Sequence, residues 1–446
     1  MIIENSIEDR ERNFNVRYDA LSIASRAIED NLPSNTIDEF IHLTDNDIIL
    51  GNNKYPLEEI NNLYVLGAGK GSQRLVEAVT KKIENFVDTS FVVEKEGQST
   101  ASKSLTVLEA GHPLPNANSL EAGKTVVELL DNTTSDDLII FCITGGTSSQ
   151  LIYPDEIGLD DIITTTKLLL ESGAPVSDLN TVRKHLSKIK GGKLAERGFP
   201  AQMVSLIIVD EIGRKPWGPT VPDQTTFDDA ISVIRQNDCW DSLPESVQSH
   251  LKSGQQGKVA ETPSELIDVP IQNVPISTAD DLCTAASRAA SDLGYDSMIL
   301  STYIEGEASD IGLAHGGLVK EIKKYKRPIE PPCAIISGGE TTVTVDNPSG
   351  LGGPNQEAAI GFASNIEGLN GAVGIFLDSD GTDGPTNVAG AIVDGETATK
   401  AAEKERNLYD CLNNNNSTEL LTSINEHIRF SGPGVNLMDL RIILVI

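Results

Sequence analysis

Apolar residues fall along this chain in two alternating rhythms. Short aliphatic runs at 63–66, 90–93, 137–143, 201–209, 297–302 and 333–336 read as buried strands. Between them, apolar positions recur three and four apart. That spacing predicts helices over 12–31, 73–86, 119–130, 159–172, 179–186, 279–293 and 311–324, with Ser119 as the N-cap of its helix. Strand, glycine turn and helix repeated over some two hundred residues predict a parallel, doubly wound sheet, whose ligands gather at the carboxyl ends of the strands.

Composition shifts over a stretch from 240 to 275, rich in Ser, Gln, Pro and Gly, and the boundary between two domains, 1–270 and 271–446, is expected near its end. The Asn413–Asn416 run reads as a loop between helices. Gly123-Lys124-Thr125 lies inside a helical pattern without the upstream glycine of a phosphate loop, and carries no chemistry of its own.

Several apolar runs deliver the chain into glycines flanked by hydroxyls, a lysine or acids. The first is Gly67-Ala-Gly69-Lys70-Gly71-Ser72, between a strand and a helix. It is neither a Walker A loop nor a dinucleotide fingerprint, because Tyr64 and Gly71 break the former and Ser72 the latter. Its open amides and Lys70 suit an anion. Thr144-Gly145-Gly146-Thr147-Ser148-Ser149 repeats the arrangement with hydroxyl donors, the alternative being a plain helix cap. In the C-terminal half, Ser337-Gly338-Gly339-Glu340 and Asp380-Gly-Thr-Asp383-Gly pair glycines with carboxylates, which suits a phosphorylated ligand and its divalent metal. Asp210 and Glu340 follow apolar runs as further candidate metal or base carboxylates, while Glu357 opens a helix, where an acid also complements the dipole.

Charge sharpens this picture. The 446 residues carry a formal net charge of −31, spread along the chain, which argues against nucleic-acid and anionic-membrane partners. Such a surface is best tolerated in concentrated salt, and the chain reads as halophilic. Against that background Asn180-x-x-Arg183-Lys184-His185, Lys188, Lys190 and Lys193 form the one dense basic run, which makes sense if it meets an anion. Five scattered cysteines without a Cys-x-x-Cys pair read as buried thiols in a reducing compartment. No apolar run reaches membrane-spanning length and no leader pattern opens the chain, so a cytoplasmic protein is expected.

Taken in order, Gly67–Ser72, Ala110-Gly-His-Pro-Leu-Pro-Asn116, Ile143–Ser149, Leu179-Asn-x-x-Arg183-Lys-His-Leu-Ser187, Lys190-Gly-Gly-Lys-Leu-Ala195, Gly218-Pro-Thr-Val-Pro-Asp223, Glu305-Gly-Glu307, Ser337–Thr342, Gly353-x-Asn355-Gln-Glu357 and Gly381–Thr386 resemble the class II glycerate kinases, whose C-terminal half holds a MOFRL domain. The resemblance implies two α/β domains, the first Rossmann-like and the second containing the MOFRL region from about residue 331, with the active site in a cleft between them. It implies phosphorylation of D-glycerate at its 2-hydroxyl with ATP and Mg²⁺. Lys70, Asp210 and Arg183 are then expected to be catalytic. Gly69, Gly71, Ser72, Gly145, Gly146, Thr147, Ser148, Asn180, Lys190, Gly338, Gly339, Glu340, Asn355, Glu357 and Asp383 would bind substrate or nucleotide. Asp210, Glu340 and Asp383 would hold metal. A homodimer is allowed for.

The chain departs from the family pattern at Pro354, where the family has a catalytic arginine, and at Val209-Asp-Glu211, Trp217 and Gly432-Pro-Gly-Val-Asn436. Two alternatives therefore stay open: an oxidoreductase acting on hydroxypyruvate, and a metabolite-binding relative with weakened catalysis.

Overall fold

The computed structural model describes residue 3 and residues 13–209, 215–430 and 436–446. It divides into two units: Ile37–Val209 with Pro216–Ile276, and Ser277–Ile446 with the described residues up to Thr36.

In the first unit a six-stranded sheet runs Thr106–Ala110, Thr89–Lys95, Asn62–Ala68, Asp137–Ile143, Gln202–Ile208, Ile271–Ser277. In chain order this is 3-2-1-4-5-6, and the first five strands are mutually parallel. The order reverses direction between Asn62–Ala68 and Asp137–Ile143, where a doubly wound sheet opens its ligand crevice. All seven residues of Asp137–Ile143 are buried, as a strand covered on both faces must be. Ile41–Leu43, Asp47–Leu50 and Asn53–Pro56 add a small antiparallel sheet.

Beside the sheet, helices Leu159–Glu171, Val176–His185, Phe227–Gln236 and Glu245–Gln255 close a second core around the fully buried Phe227. Gly254 is required there, since a Cβ would stand 2.3 Å from the Phe227 ring. The polar stretch 240–275 packs within the first unit, which ends at Ile276. Val247 and Leu251 are buried in this core, and the stretch runs on into the edge strand Ile271–Ser277. Helix Ala117–Asp131 likewise begins earlier than its apolar spacing suggests. Asn116, not Ser119, is the N-cap, and the two exchange hydrogen bonds in a capping box.

The second unit holds a mixed sheet: Asp296–Ile304, Cys333–Gly339, Asp439–Val445, Ala372–Asp378, Gly390–Asp394, His427–Ile428. Only the first pair is parallel. The last strand of the chain inserts antiparallel between Cys333–Gly339 and Ala372–Asp378. Helix Pro354–Asn365 packs over this sheet, burying Phe362 against Phe376 with ring centroids 5.3 Å apart; each such ring contributes about 1.5–3 kcal/mol of burial.

Composition alone assigns residues 1–270 to one domain, yet helix Phe14–Asp30 joins the second unit. The reason is Arg17. It is 1% exposed, pairs with Asp394 at 3.0 Å and Glu426 at 3.2 Å, and donates to the Ile392 carbonyl. Lys400 and Thr397 complete the shell of Glu426. The five cysteines are buried and free, and no described helix is long and apolar enough to cross a membrane.

Candidate active site

Strands Asn62–Ala68 and Asp137–Ile143 lie side by side with Ala68 opposite Ile143, so the two glycine loops that follow them meet. The Lys70 amide donates to the Gly145 carbonyl at 2.7 Å, and the Thr144 amide to Ala68 at 3.1 Å. Gly69, at φ +118°, permits this approach, because a Cβ there would fall 2.3 Å from the Thr144 carbonyl oxygen.

The first loop is not the open amide cradle that its sequence suggests. Glu94, 1% exposed, turns its carboxylate into the start of helix Ser72–Ile83 and accepts the amides of Gly71 at 2.9 Å and Gln73 at 3.2 Å. Gly69 donates to the Val93 carbonyl, Ser72 to Gly69, and the Ser72 hydroxyl to Val93. The protein's own carboxylate fills the place of an external anion, so Gly69, Gly71 and Ser72 have no amide or hydroxyl left to give. Nothing in the local sequence marks Glu94, which stands 23 residues from Gly71. What remains for a ligand is the Lys70 side chain, half-buried and without a hydrogen bond or ion pair to any described residue.

The second loop keeps its donors. The amides of Gly145, Gly146 and Ser148 donate to no described protein group. Thr147 is different, because its hydroxyl is spent on the carbonyls of Ala68 and Thr144, both at 2.7 Å. Gly146, at φ +93°, leaves a gap that a Cβ would close, 3.0 Å from His112 and 3.3 Å from the Lys70 side chain.

The basic run sorts itself by partner. Lys184 pairs with Asp223 at 2.5 Å and Lys188 with Asp155 at 3.0 Å. His185 is fully buried, its Nδ1 2.8 Å from the Thr181 carbonyl and its ring edge-on to Phe227, so it is a core residue. Lys193 donates to the Ser187 carbonyl. Arg183 and Lys190 instead face one hollow, together with Ser148, Ser149, Ile152 and Leu186. Neither has a carboxylate partner among the described residues. Lys190 is 7% exposed and, among the described residues, donates only to the Leu151 carbonyl. Burial, then the Arg183 charge, pulls its ammonium down to about 7, and burial pulls Arg183 to about 10. Charging a buried ammonium beside a half-buried guanidinium, with no acid partner among the described residues, is costly unless an anion arrives. The Asn180 Oδ1, also buried, lacks a hydrogen-bond partner.

In the second unit the carboxylates expected to hold ligands are largely committed. Asp383, 1% exposed, accepts the amides of Asn355 and Gln356 at 3.0 and 2.9 Å and so caps helix Pro354–Asn365. Burial pushes it up to about 6 despite those bonds. Gly353 is required because a Cβ would lie 2.4 Å from the Asp383 carboxyl. Pro354 sits in the first turn, where the missing amide costs nothing. Asn355 bridges Asp383 to Asp439, which also holds Thr341 and the buried Arg441. Glu357, 3% exposed, accepts from Asn415, and burial pushes it up to about 7.

Gly338 and Gly339 are strand residues paired with Leu440 and Asp439, not an open loop. Gly339 is there because Ile304 backbone passes 2.2 Å from where its Cβ would be. Glu340 is exposed, with its amide on the Ile304 carbonyl. Asp210 and Glu211 lie outside the described residues, as does most of the 432–436 segment. Among the described residues no group of three or more His, Cys, Asp or Glu is arranged to hold a metal ion.

Residues 19–252 match the family described as a domain of unknown function, DUF4147, and residues 333–439 match the MOFRL family. A glycerate 2-kinase of Pyrococcus horikoshii is 37% identical over 96% of this chain and 97% of its own. A D-glycerate 2-kinase of Thermotoga maritima is 33% identical over 96% and 98%. A relative from Agrobacterium vitis, provisionally named a hydroxypyruvate reductase, is 33% identical over 88% and 89%. The crystal structure of a Thermotoga maritima glycerate kinase superposes with a TM-score of 0.86 at 32% identity, covering 97% of this chain and all of that one. By domain content, near-complete coverage and fold, the chain belongs to the MOFRL family of glycerate kinases.

Proposed function

We propose that this protein transfers the terminal phosphoryl group of ATP to the 2-hydroxyl of D-glycerate. The names of its full-length relatives support the reaction. The observation that carries it on this chain is the hollow lined by half-buried Arg183 and buried Lys190, neither with a carboxylate partner among the described residues, next to the loop that presents Lys70 and the amides of Gly145, Gly146 and Ser148. An anionic substrate supplies the missing negative charge. Lys70 then neutralises charge on the transferred group, Arg183 and Lys190 hold carboxylate or phosphate oxygens, and Asn180 orients the acid.

The described carboxylates do not fit a resident Mg²⁺, since Asp383 is locked in a helix cap and no group of three or more His, Cys, Asp or Glu among the described residues is arranged to hold one. The ion is therefore assigned to the nucleotide's phosphates, and no step is built on a protein cage. Glu94 weighs against the reductase reading, because its carboxylate occupies the helix start where a dinucleotide's pyrophosphate would lie. A cytoplasm rich in salt suits the net charge of −31.

The test is purified protein in molar KCl with ATP, Mg²⁺ and D-glycerate, separating 2- from 3-phosphoglycerate. Lys70→Ala is expected to lower kcat/KM by about 10²-fold or more, with an unchanged melting temperature. Nucleotide binding without turnover in the parent protein would favour the weakened relative, and NADH-dependent reduction of hydroxypyruvate the oxidoreductase. Light scattering decides whether it is a homodimer.

A further inference from the structure

His112 stands in the turn between strand Thr106–Ala110 and helix Ala117–Asp131. The turn is held firmly. A Cβ on Gly111 would fall 2.5 Å from the Leu114 carbonyl oxygen, Asn116 caps the helix, and its amide group donates to the exposed Glu96 at 2.7 Å. The imidazole is half-buried and has no hydrogen-bond or ion-pair partner among the described residues. Its Cδ2 and the Lys70 Cγ border the same gap over Gly146, where the unpartnered amide of the buried Gln150 also lies.

Three cations from three elements act on this ring: Lys70 from the first glycine loop, Lys95 from the end of strand Thr89–Lys95, and Arg183 from helix Val176–His185. Among the described residues no carboxylate stands with these charges as a main influence on it. A base in this position has to leave those cations free for the substrate. An aspartate or glutamate would pair with them and cancel the positive field; a neutral imidazole does not.

We infer that His112 is the catalytic base of the transfer, taking the proton of the acceptor hydroxyl. The inference rests on the kinase reading above. As the hydroxyl oxygen bonds to the terminal phosphorus, its proton passes to an imidazole nitrogen. The bond from that phosphorus to the bridging oxygen breaks, and its electron pair leaves with the nucleoside diphosphate. The proton then returns from the imidazolium to solvent.

Burial, then the charges of Lys70, Lys95 and Arg183, hold the imidazole down at about 4, so it is neutral at pH 7 and its lone pair is free. Phosphate and carboxylate oxygens cancel those charges on binding and raise its proton affinity. The base therefore gains strength only when substrate is present.

The experiment compares the parent protein with His112→Ala and His112→Gln, using D-glycerate and ATP in molar KCl, with melting curves for each. In the parent the acid limb of kcat/KM is expected near 4, and that of kcat at higher pH, since the two report the free and the loaded enzyme. Both variants should lose about 10²–10⁴-fold in kcat, with a glycerate KM changed only a few-fold, and the acid limb of kcat should vanish. Turnover by the parent with His112→Gln retaining its kcat or acid limb overturns the base role and leaves the kinase reading intact. An inactive parent overturns both.

Discussion

The Glu94 carboxylate accepts the Gly71 amide at 2.9 Å, so the helix start that looks like an anion site already holds an anion from the next strand. Its other oxygen takes the Gln73 amide, and the Lys95 amide shares the first. Burial pushes the carboxyl up, while the backbone donors pull against it. Fixing the loop in this way leaves Lys70 as its only outward chemistry.

Replacing Glu94 with glutamine sets an NH₂ group against backbone N–H donors. Glu94→Gln should therefore cost about 1–3 kcal/mol. Urea denaturation checks this; an unchanged midpoint would show that the carboxylate does not organise the loop.

Arg17 is expected to be the costliest side chain to remove. Arg17→Met leaves Asp394 and Glu426, 2% and 0% exposed, with Lys400, paired to Glu426, as the cation left to them among the described residues. Burial alone would raise Asp394, and the Arg17 charge holds it below its ordinary range. A loss of about 3–5 kcal/mol follows, read as a drop in melting temperature. The transition assigned to residues 277–446 should move most, and a shift confined to the other unit would contradict the assignment.

Glu357 should contribute a loss of stability as pH rises from about 4.5 to 7. Burial raises Glu357 to about 7, so in that window the folded chain keeps a proton which the unfolded chain has released. The stabilisation is complete below the unfolded value and lost on passing the folded one, amounting to at most about 3 kcal/mol. Glu357→Gln should flatten this part of the profile relative to the parent. Parallel slopes in the two proteins would remove Glu357 as the cause.

Salt should matter strongly. Between about 0.1 and 1 M the screening length shrinks from about 10 to 3 Å, which relieves self-repulsion in a chain of net charge −31. Melting temperature and turnover should both rise with KCl up to about 2 M. A flat or falling response would argue against a halophilic protein.

Much of the architecture was legible from one-dimensional patterning. Asp137–Ile143 coincides with its apolar run residue for residue, and helices Leu159–Glu171 and Ala279–Asp292 end within a residue of their expected limits. Edge elements were harder. Ile271–Ser277 is only half-buried and contains Pro275, so its pattern does not stand out from a loop.

The candidate site was legible as residue types but not as partnerships. The glycine loops and the basic run offered Lys70, Gly145, Gly146, Arg183 and Lys190 as candidates, and all five fall in the first unit. They could not reveal that Lys184 belongs to Asp223, that Asp383 caps Pro354–Asn365, or that Glu94 fills the first loop.

Local order along the chain determined where strands, helices and tight turns form, because hydrophobic period and glycine tolerance act over a few residues. Which cations stay unpaired, which amides stay open, and how His112 comes to face Lys70 and Gly146 were decided by the folded arrangement. Hydrogen bonds and charges act through space, between groups that the chain order keeps tens of residues apart.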